Sequence, residues 1–330
     1  MPSLKAYNTF NIEETASKII PVNTVSEVLQ YYKNCGNTPT IILGGGSNVL
    51  FTQHYEGTVL VNKTTGLQIM KETETDIVIK VASGYNWHEL VTYCVNHNWY
   101  GLENLASIPG TVGAAPIQNI GAYGAEVKQV CVGIDYLDLS SVNTMHITNK
   151  NCEFGYRNSI FKTTLKGKVF ISAVYFSLRK IFVPNVSYNA LQNYIANNKE
   201  PLTSMLIYNA VVAIRASKLP IIKELGNAGS FFKNPIISNK QAEYLKKQYS
   251  DVVLYANATS TYKVAAAWLI QQCGYKGYRQ GNVGCYSKQP LVLVNYGGAT
   301  GNEVLQLSNS IIVAVQRKFN ITLQPEVNIV

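Results

Sequence analysis

Charged residues are scarce in this chain. Asp, Glu, Lys and Arg make up 14% of its 330 residues, against about a quarter in an average soluble protein. With so few charges and 47% hydrophobic residues, a disordered chain is excluded and a sizeable core is possible. Histidine is rarer still, and His54, His88, His97 and His146 show no metal-ligand spacing, so no metal is expected. Cysteines stand at 35, 94, 131, 152, 273 and 285, and no two of them form a C-x-x-C pair. Buried, reduced thiols of a cytoplasmic protein are the reading. No apolar run could cross a bilayer, and the opening MPSLKAYNTF has no apolar signal-peptide core. We therefore expect no membrane insertion.

The net charge of +9 suits a polyanionic partner. The bases are scattered, however, with Lys246-Lys247 the densest pair and no basic stripe or nucleic-acid motif. That pattern fits a phosphate-bearing small ligand better than nucleic acid. The length suggests two or three packed domains, and we find no internal repeat or low-complexity tract.

Helix and strand signals alternate through the first third. NTVSEVLQYYKN (23–34) opens on Thr24 with Glu27 three residues on, a capping-box start. TIIL (40–43) reads as a buried strand ending in glycines, and IVIKVASG (77–84) as a strand closed by Gly. NWHELVTYCVNH (86–97) reads as a helix capped by Asn86, with Glu89 completing the box and Leu90, Val91, Cys94 and Val95 on its apolar face. Strands follow at 132–139 and 169–178, and 181–203 reads as a loop or short helical insertion. A second strand-and-helix unit is expected to begin near 204–220. It would contain a helix at 264–273, a strand at 290–296 and a final helix capped by Asn302, with Val304, Leu307, Ile311, Val315 and Phe319 on one face.

Several segments carry possible chemistry. GGGSN (44–48) follows a strand; its backbone N–H groups could cradle a phosphate, or it could be only a turn. It lacks the G-x-G-x-x-G spacing and the following helix of a dinucleotide fingerprint. GLENLASIPGTVGAAPIQNIGAYGAE (101–126) holds Gly101, Gly110, Gly113, Gly121 and Gly124 with Pro109 and Pro116. So much glycine is costly to order unless a ligand or tight packing repays it. FGYRNS (154–159) places Arg157 among apolar and aromatic residues, either as a structural ion-pair partner or as an anion binder. In GNAGSFFKNP (226–235), Ser230 is by default a turn residue, since the segment is no G-x-S-x-G elbow. Glu326, in LQPEVNIV (323–330), would ordinarily be exposed terminal decoration.

In order along the chain, GGGSN, SIPGTVGAAPIQNIGAYG, GYRNSIFK, GNAGSFFKNP and PEV resemble the UDP-N-acetylenolpyruvoylglucosamine reductase family. The likeness runs from Tyr7-Asn8-Thr9 to the last residues. The resemblance implies an α+β fold: an FAD-binding fold of the vanillyl-alcohol-oxidase type with two lobes, plus a C-terminal α+β substrate-binding domain. The implied divisions are lobe 1 at 1–67, lobe 2 at 68–205, a substrate domain at 206–323 and a tail at 324–330 that returns to the active site. It also implies non-covalent FAD held through Gly45, Gly46, Ser47, Asn48, Pro109, Gly110, Gly113, Ala114, Ile117, Asn119, Gly121 and Ala122.

NADPH would be the hydride donor and a UDP-sugar the substrate, with no obligatory protein partner. VPNVSYNAL (183–191) is similar to the family's tyrosine-bearing loop, with Tyr188 as its tyrosine. Tyr123, Tyr188, Lys218 and Asn234 would contact the substrate. Arg157 would stabilise developing negative charge at its carboxylate, Ser230 would deliver the proton, and Glu326 would assist. The tail reads LQPEV where the family often has an acidic residue before the proline; Gln324 takes that place and Glu326 keeps its own. Two rival readings are an FAD oxidase of the same fold, betrayed by oxygen-dependent turnover, and a non-catalytic binding module, which would be colourless.

Overall fold

The computed structural model describes residues 1–198, 200–257 and 260–330. The chain forms two compact units: residues 17–45 with 56–217, and residues 1–16 with 46–55 and 218–330.

The first unit carries two sheets. In the smaller, Thr40–Leu43 pairs in parallel with Tyr55–Asn62, which Ala16–Val22 flanks on its other side. The helix Val25–Asn34 begins as expected, with the Thr24 hydroxyl accepting Glu27 N–H; the Glu27 carboxylate reaches one residue further back, to Asn23 N–H at 2.7 Å. Val22, Val28, Leu60, Leu137 and Phe170 form the core there. The larger sheet has five antiparallel strands in the order Thr144–Thr148, Cys131–Asp138, Val169–Arg179, Asp76–Ala82, Leu67–Glu72.

Alternation along Asp76–Ala82 turns Ile77, Ile79 and Val81 inward. Against that core lie Trp87, Leu90, Val91, Cys94 and Val95 of the helix Trp87–Asn96, which Asn86 caps by accepting Glu89 N–H. Those are the expected face residues, joined by Trp87.

The helix Ser204–Lys218 departs from the expected division, which broke the chain at 205/206. Its Ile207, Ala210, Val211 and Ile214 are buried in the same core as Ile77 and Trp87. Each of the buried Ile and Val side chains is worth about 1.5–3 kcal/mol. That burial, rather than chain order, holds the helix in the first unit. Within 181–203 the structure has the helix Asn189–Ala196; Lys199 of that segment lies outside the described residues.

The second unit packs Phe10, Phe231, Phe232, Leu269, Leu293 and Ile311 into one core. Its four-stranded antiparallel sheet runs Gly226–Ser230, Val292–Asn295, Val283–Cys285, Arg279–Gln280. The helix expected at 264–273 begins later, at Ala266, because Thr261–Val264 is a strand paired with Ile236–Ser238. The last helix is Gly301–Phe319, and Val304, Leu307, Ile311 and Val315 are buried. Its cap is Thr300, not Asn302: Thr300 and Glu303 form a full capping box, while Asn302 donates instead to the Thr52 carbonyl at 3.1 Å. Among the described residues no helix is long and apolar enough to cross a membrane.

Candidate active site

The glycine-rich turn after Thr40–Leu43 meets the segment around Gly110 backbone to backbone. A Cβ placed on Gly45 would sit 3.0 Å from Gly110 Cα, and one on Gly44 would sit 2.5 Å from Thr111 Oγ1. Only a residue without a side chain lets the two loops approach so closely. Two bare backbones side by side give a cradle whose N–H groups suit a pyrophosphate. Pro109 and Ala114 are exposed, as is Ile117. Gly113 is different: it is buried, donates its N–H to the Ser83 carbonyl at 2.8 Å and leaves no room for a Cβ beside Ser83. Its glycine serves packing.

Residues 121–126 form a two-stranded ladder, Gly121–Ala122 with Ala125–Glu126. Tyr123 and Gly124 make its tip with φ of +49° and +84°, the sign pattern of a type I′ hairpin turn. Below it, Asn119 is buried and fully employed. Its amide donates to Glu126 Oε2 at 2.9 Å and to the Gly155 carbonyl at 3.0 Å, and its oxygen accepts Lys128 N–H at 3.0 Å. The side chain therefore ties the ladder to the GYRN turn, and a ligand could meet only its backbone.

Gly155 and Asn158 exchange backbone hydrogen bonds around that turn, and Arg157 sits at its tip with φ +51°. Arg157 Nη2 donates to the Gly121 carbonyl at 2.9 Å.

A second guanidinium, not expected from the sequence, shares the region. Arg215 donates to the Ser107 carbonyl at 3.2 Å, and its guanidinium lies beside the Tyr123 phenol. Burial pulls its pKa below the usual arginine range, opposed by Tyr123 and aided by a smaller effect from the charge of Arg157. Burial likewise pushes the Tyr123 phenol up. Two guanidiniums held near a half-buried tyrosine make a fixed positive field, suited to a carboxylate or phosphate. The signal was in the sequence: an arginine in the apolar helical run IYNAVVAIRASK is as anomalous as Arg157 in FGYRNS. Tyr188, 37% exposed, packs edge-on against Tyr123 with ring centroids 5.2 Å apart.

Ser107, with φ +59°, is held from both sides. Its N–H donates to His88 Nδ1 at 3.1 Å while its carbonyl takes Arg215. The His88 ring stacks on Tyr208 with centroids 5.7 Å apart.

In the other unit, Ser230 ends a strand and is exposed. The tail returns to it. Phe232 and Pro325 form an antiparallel bridge, Lys233 N–H donates to the Gln324 carbonyl at 3.0 Å, and Glu326 N–H donates to the Phe231 carbonyl at 2.7 Å. Gln324 thus engages through its backbone, so its side-chain identity matters little to the tail's course. Asn48 donates to the Glu326 carbonyl at 3.3 Å, and Asn328–Ile329 pairs in parallel with Val49–Leu50. Gly46 has φ +62°, and a Cβ there would overlap the Tyr7 carbonyl. Asn234 caps the helix Ala266–Gln272, its oxygen accepting Ala266 N–H at 2.9 Å. Lys218 is exposed at its helix end.

No cluster of His, Cys, Asp or Glu among the described residues could hold a metal. All six cysteines are unpaired. Cys94, Cys131, Cys152 and Cys285 are buried, their thiols pushed up to about 12 by burial, whereas Cys35 and Cys273 are only half-buried.

Two family models match the chain: an FAD binding domain over residues 17–141 and the C-terminal domain of UDP-N-acetylenolpyruvoylglucosamine reductase over residues 220–330. They bear out the expected FAD-binding fold with an appended C-terminal domain. The chain is 45% identical over 328 residues to the UDP-N-acetylenolpyruvoylglucosamine reductase of Shewanella sp. (strain MR-7), covering 98% of this chain and 94% of that one. It is 42% identical over 331 residues to the enzyme of the same name from Flavobacterium johnsoniae, covering 99% and 98%. Among solved structures it is similar to UDP-N-acetylenolpyruvylglucosamine reductase from Thermus caldophilus, with TM-score 0.69 and 19% identity over 99% and 97% of the two chains.

Proposed function

The chain belongs to the UDP-N-acetylenolpyruvoylglucosamine reductase family, and from that premise we propose what its individual side chains contribute. It is an oxidoreductase. Its reaction is the NADPH-dependent, FAD-mediated reduction of UDP-N-acetyl-3-O-(1-carboxyvinyl)-glucosamine to UDP-N-acetylmuramate, in peptidoglycan precursor synthesis. When bound, FAD would supply the hydride chemistry between NADPH and the terminal alkene carbon.

The residues fit that cofactor. The bare backbones of Gly45 and Gly110 suit the pyrophosphate. Ser47 and Asn48 would add side-chain donors, and Pro109, Ala114, Ile117, Gly121 and Ala122 would line the ring. Gly113 and Asn119 support these loops from beneath.

Hydride arrival at the alkene leaves negative charge on the carbon next to the carboxylate. Arg157 holds that carboxylate with its planar fork, and Arg215 adds a second fixed charge that needs no reorganisation during the reaction. Ser230 donates its hydroxyl proton to the carbanion; so strong a base can take a proton even from a weak acid that is well placed. Glu326 acts by hydrogen bonding rather than by charge, since another anion beside a forming carbanion would raise the barrier. Tyr123 and Tyr188 contact the sugar nucleotide, and Lys218 and the Asn234 amide meet its diphosphate.

The observation that carries this reading is the tail pairing, Glu326 N–H to the Phe231 carbonyl at 2.7 Å, which brings an acidic residue to the segment that bears Ser230. We place the reaction in the cytoplasm. The need for NADPH and six unpaired cysteines support that.

The test is the visible spectrum of the purified protein. Flavin bands should be bleached by NADPH and restored, without oxygen, by the enolpyruvyl substrate. Heat should release intact FAD, since neither glycine-rich loop holds a His or Cys for a covalent link. A colourless protein, or one reoxidised only by oxygen, would overturn the reading.

A further inference from the structure

We propose that Asn104 is a positioning residue: its one buried carboxamide sets the Tyr188 loop against Tyr123 and so governs capture of the sugar nucleotide. The inference rests on the reading that both tyrosines contact substrate.

Asn104 is 3% exposed and lies in the turn Glu103–Leu105. That turn is a firm base: the Glu103 carboxylate accepts Gly101 N–H at 2.7 Å, and the Leu105 carbonyl accepts the Trp87 indole N–H at 2.9 Å. From it, Asn104 Nδ2 donates to two carbonyls, Tyr123 at 2.8 Å and Asn185 at 2.8 Å. The amide group has two hydrogens in one rigid plane. Spending one on the hairpin tip and one on the loop fixes the spacing between them.

Three further features lie along the same seam. Asn185 Nδ2 donates to the Gly124 carbonyl at 3.0 Å, and Ser187 donates to Asn185 Oδ1 at 2.8 Å. A Cβ on Gly124 would come within 2.6 Å of Ser187 Oγ, so the loop lies directly on the hairpin tip. Phe182 and Val186 pack on the unit's core and keep the loop on the protein. Apolar contact is non-directional, however, and does not fix register. The Asn185 and Ser187 side-chain bonds are exposed and compete with water. The Asn104 bonds are sheltered, and losing them would strand two carbonyls. Asn104 is therefore the element that decides where the Tyr188 ring stands.

The experiment compares Asn104→Leu, Tyr188→Ala and the double variant as holoenzymes, measuring steady-state constants and the two flavin half-reactions. Asn104→Leu should raise KM for the sugar nucleotide about tenfold, the worth of two neutral hydrogen bonds. Its kcat, and flavin reduction at saturating NADPH, should stay near wild type. Because Asn104 acts through Tyr188, the double variant should show no higher KM than Tyr188→Ala alone. If Asn104→Leu does not fold or loses FAD, Asn104→Ser, which keeps one donor and admits a water, should give a smaller KM rise with the same non-additivity.

Multiplying KM effects in the double variant would overturn the proposal, as would an Asn104 variant that slows flavin reduction and kcat while sparing KM. An unchanged KM in Tyr188→Ala would instead overturn the reading of the tyrosines on which it rests.

Discussion

Glu326 donates its backbone N–H to the carbonyl of Phe231 at 2.7 Å, so the C-terminal tail is stitched to the segment that follows Ser230. The carboxylate depends on that stitch for its position. Glu326→Gln keeps the backbone bond and the side-chain shape but replaces one acceptor oxygen with an N–H donor, which breaks the hydrogen bonding proposed for the carboxylate. We expect unchanged FAD content and unchanged flavin reduction by NADPH, with a slower reoxidation by the enolpyruvyl substrate. Stopped-flow absorbance on each half-reaction reads this. Equal slowing of both halves would mean that the tail acts on the flavin environment instead.

Ser230→Ala should separate the half-reactions more sharply. Flavin reduction needs no proton at the substrate carbon and should run at close to its normal rate. Reoxidation should slow by at least about 10², the lower end for loss of a positioned acid. Ser230→Cys should recover part of it, because a thiol can also donate a proton. Unchanged rates in Ser230→Ala would leave the serine as a strand terminus only.

Lys218→Ala should raise KM for the sugar nucleotide with little change in kcat. A point charge on the diphosphate aids binding equally in ground and transition states. Initial-rate measurements at saturating NADPH show the split. A fall in kcat at unchanged KM would remove Lys218 from substrate capture.

His88 should give the protein an acid-sensitive element. Its Nδ1 accepts Ser107 N–H, so the ring must be neutral there. Burial, and then the charge of Arg215, lower its pKa below the ordinary value near 6.5, with a smaller opposing effect from Glu89. A depressed histidine pKa means the folded state binds fewer protons than the unfolded chain. The stability His88 contributes is thus fully present above about pH 6.5 and is lost as pH falls through the lower folded value. His88→Phe keeps a ring on Tyr208 and loses the acceptor. It should be less stable near neutrality by about 1 kcal/mol. Its melting temperature should also fall less than that of wild type between about pH 7 and about pH 5. Parallel melting curves across that range would show that another group carries the acid sensitivity.

Much of the local structure was legible from residue order. The caps at Thr24 and Asn86, the inward alternation of Ile77, Ile79 and Val81, and the apolar stripe of the last helix follow from interactions between near neighbours. Such interactions leave a periodic trace. The exceptions are also local. Asn302 has the residue type of a cap, yet Thr300, two places earlier, forms the reciprocal box with Glu303. The order of five motifs identified the family and its chemistry.

The tertiary structure alone decided which residues meet. Asn104 and Asn185 are 81 residues apart, and Arg215 and Ser107 are 108 apart. No periodicity links such positions. Their pairing depends on how the strands and helices pack once their apolar faces are buried, and a polar side chain leaves no mark in the sequence of the carbonyl it will serve. For the same reason the helix Ser204–Lys218 went to the core of the first unit, carrying Arg215 towards Tyr123, although the chain order suggested the start of something new.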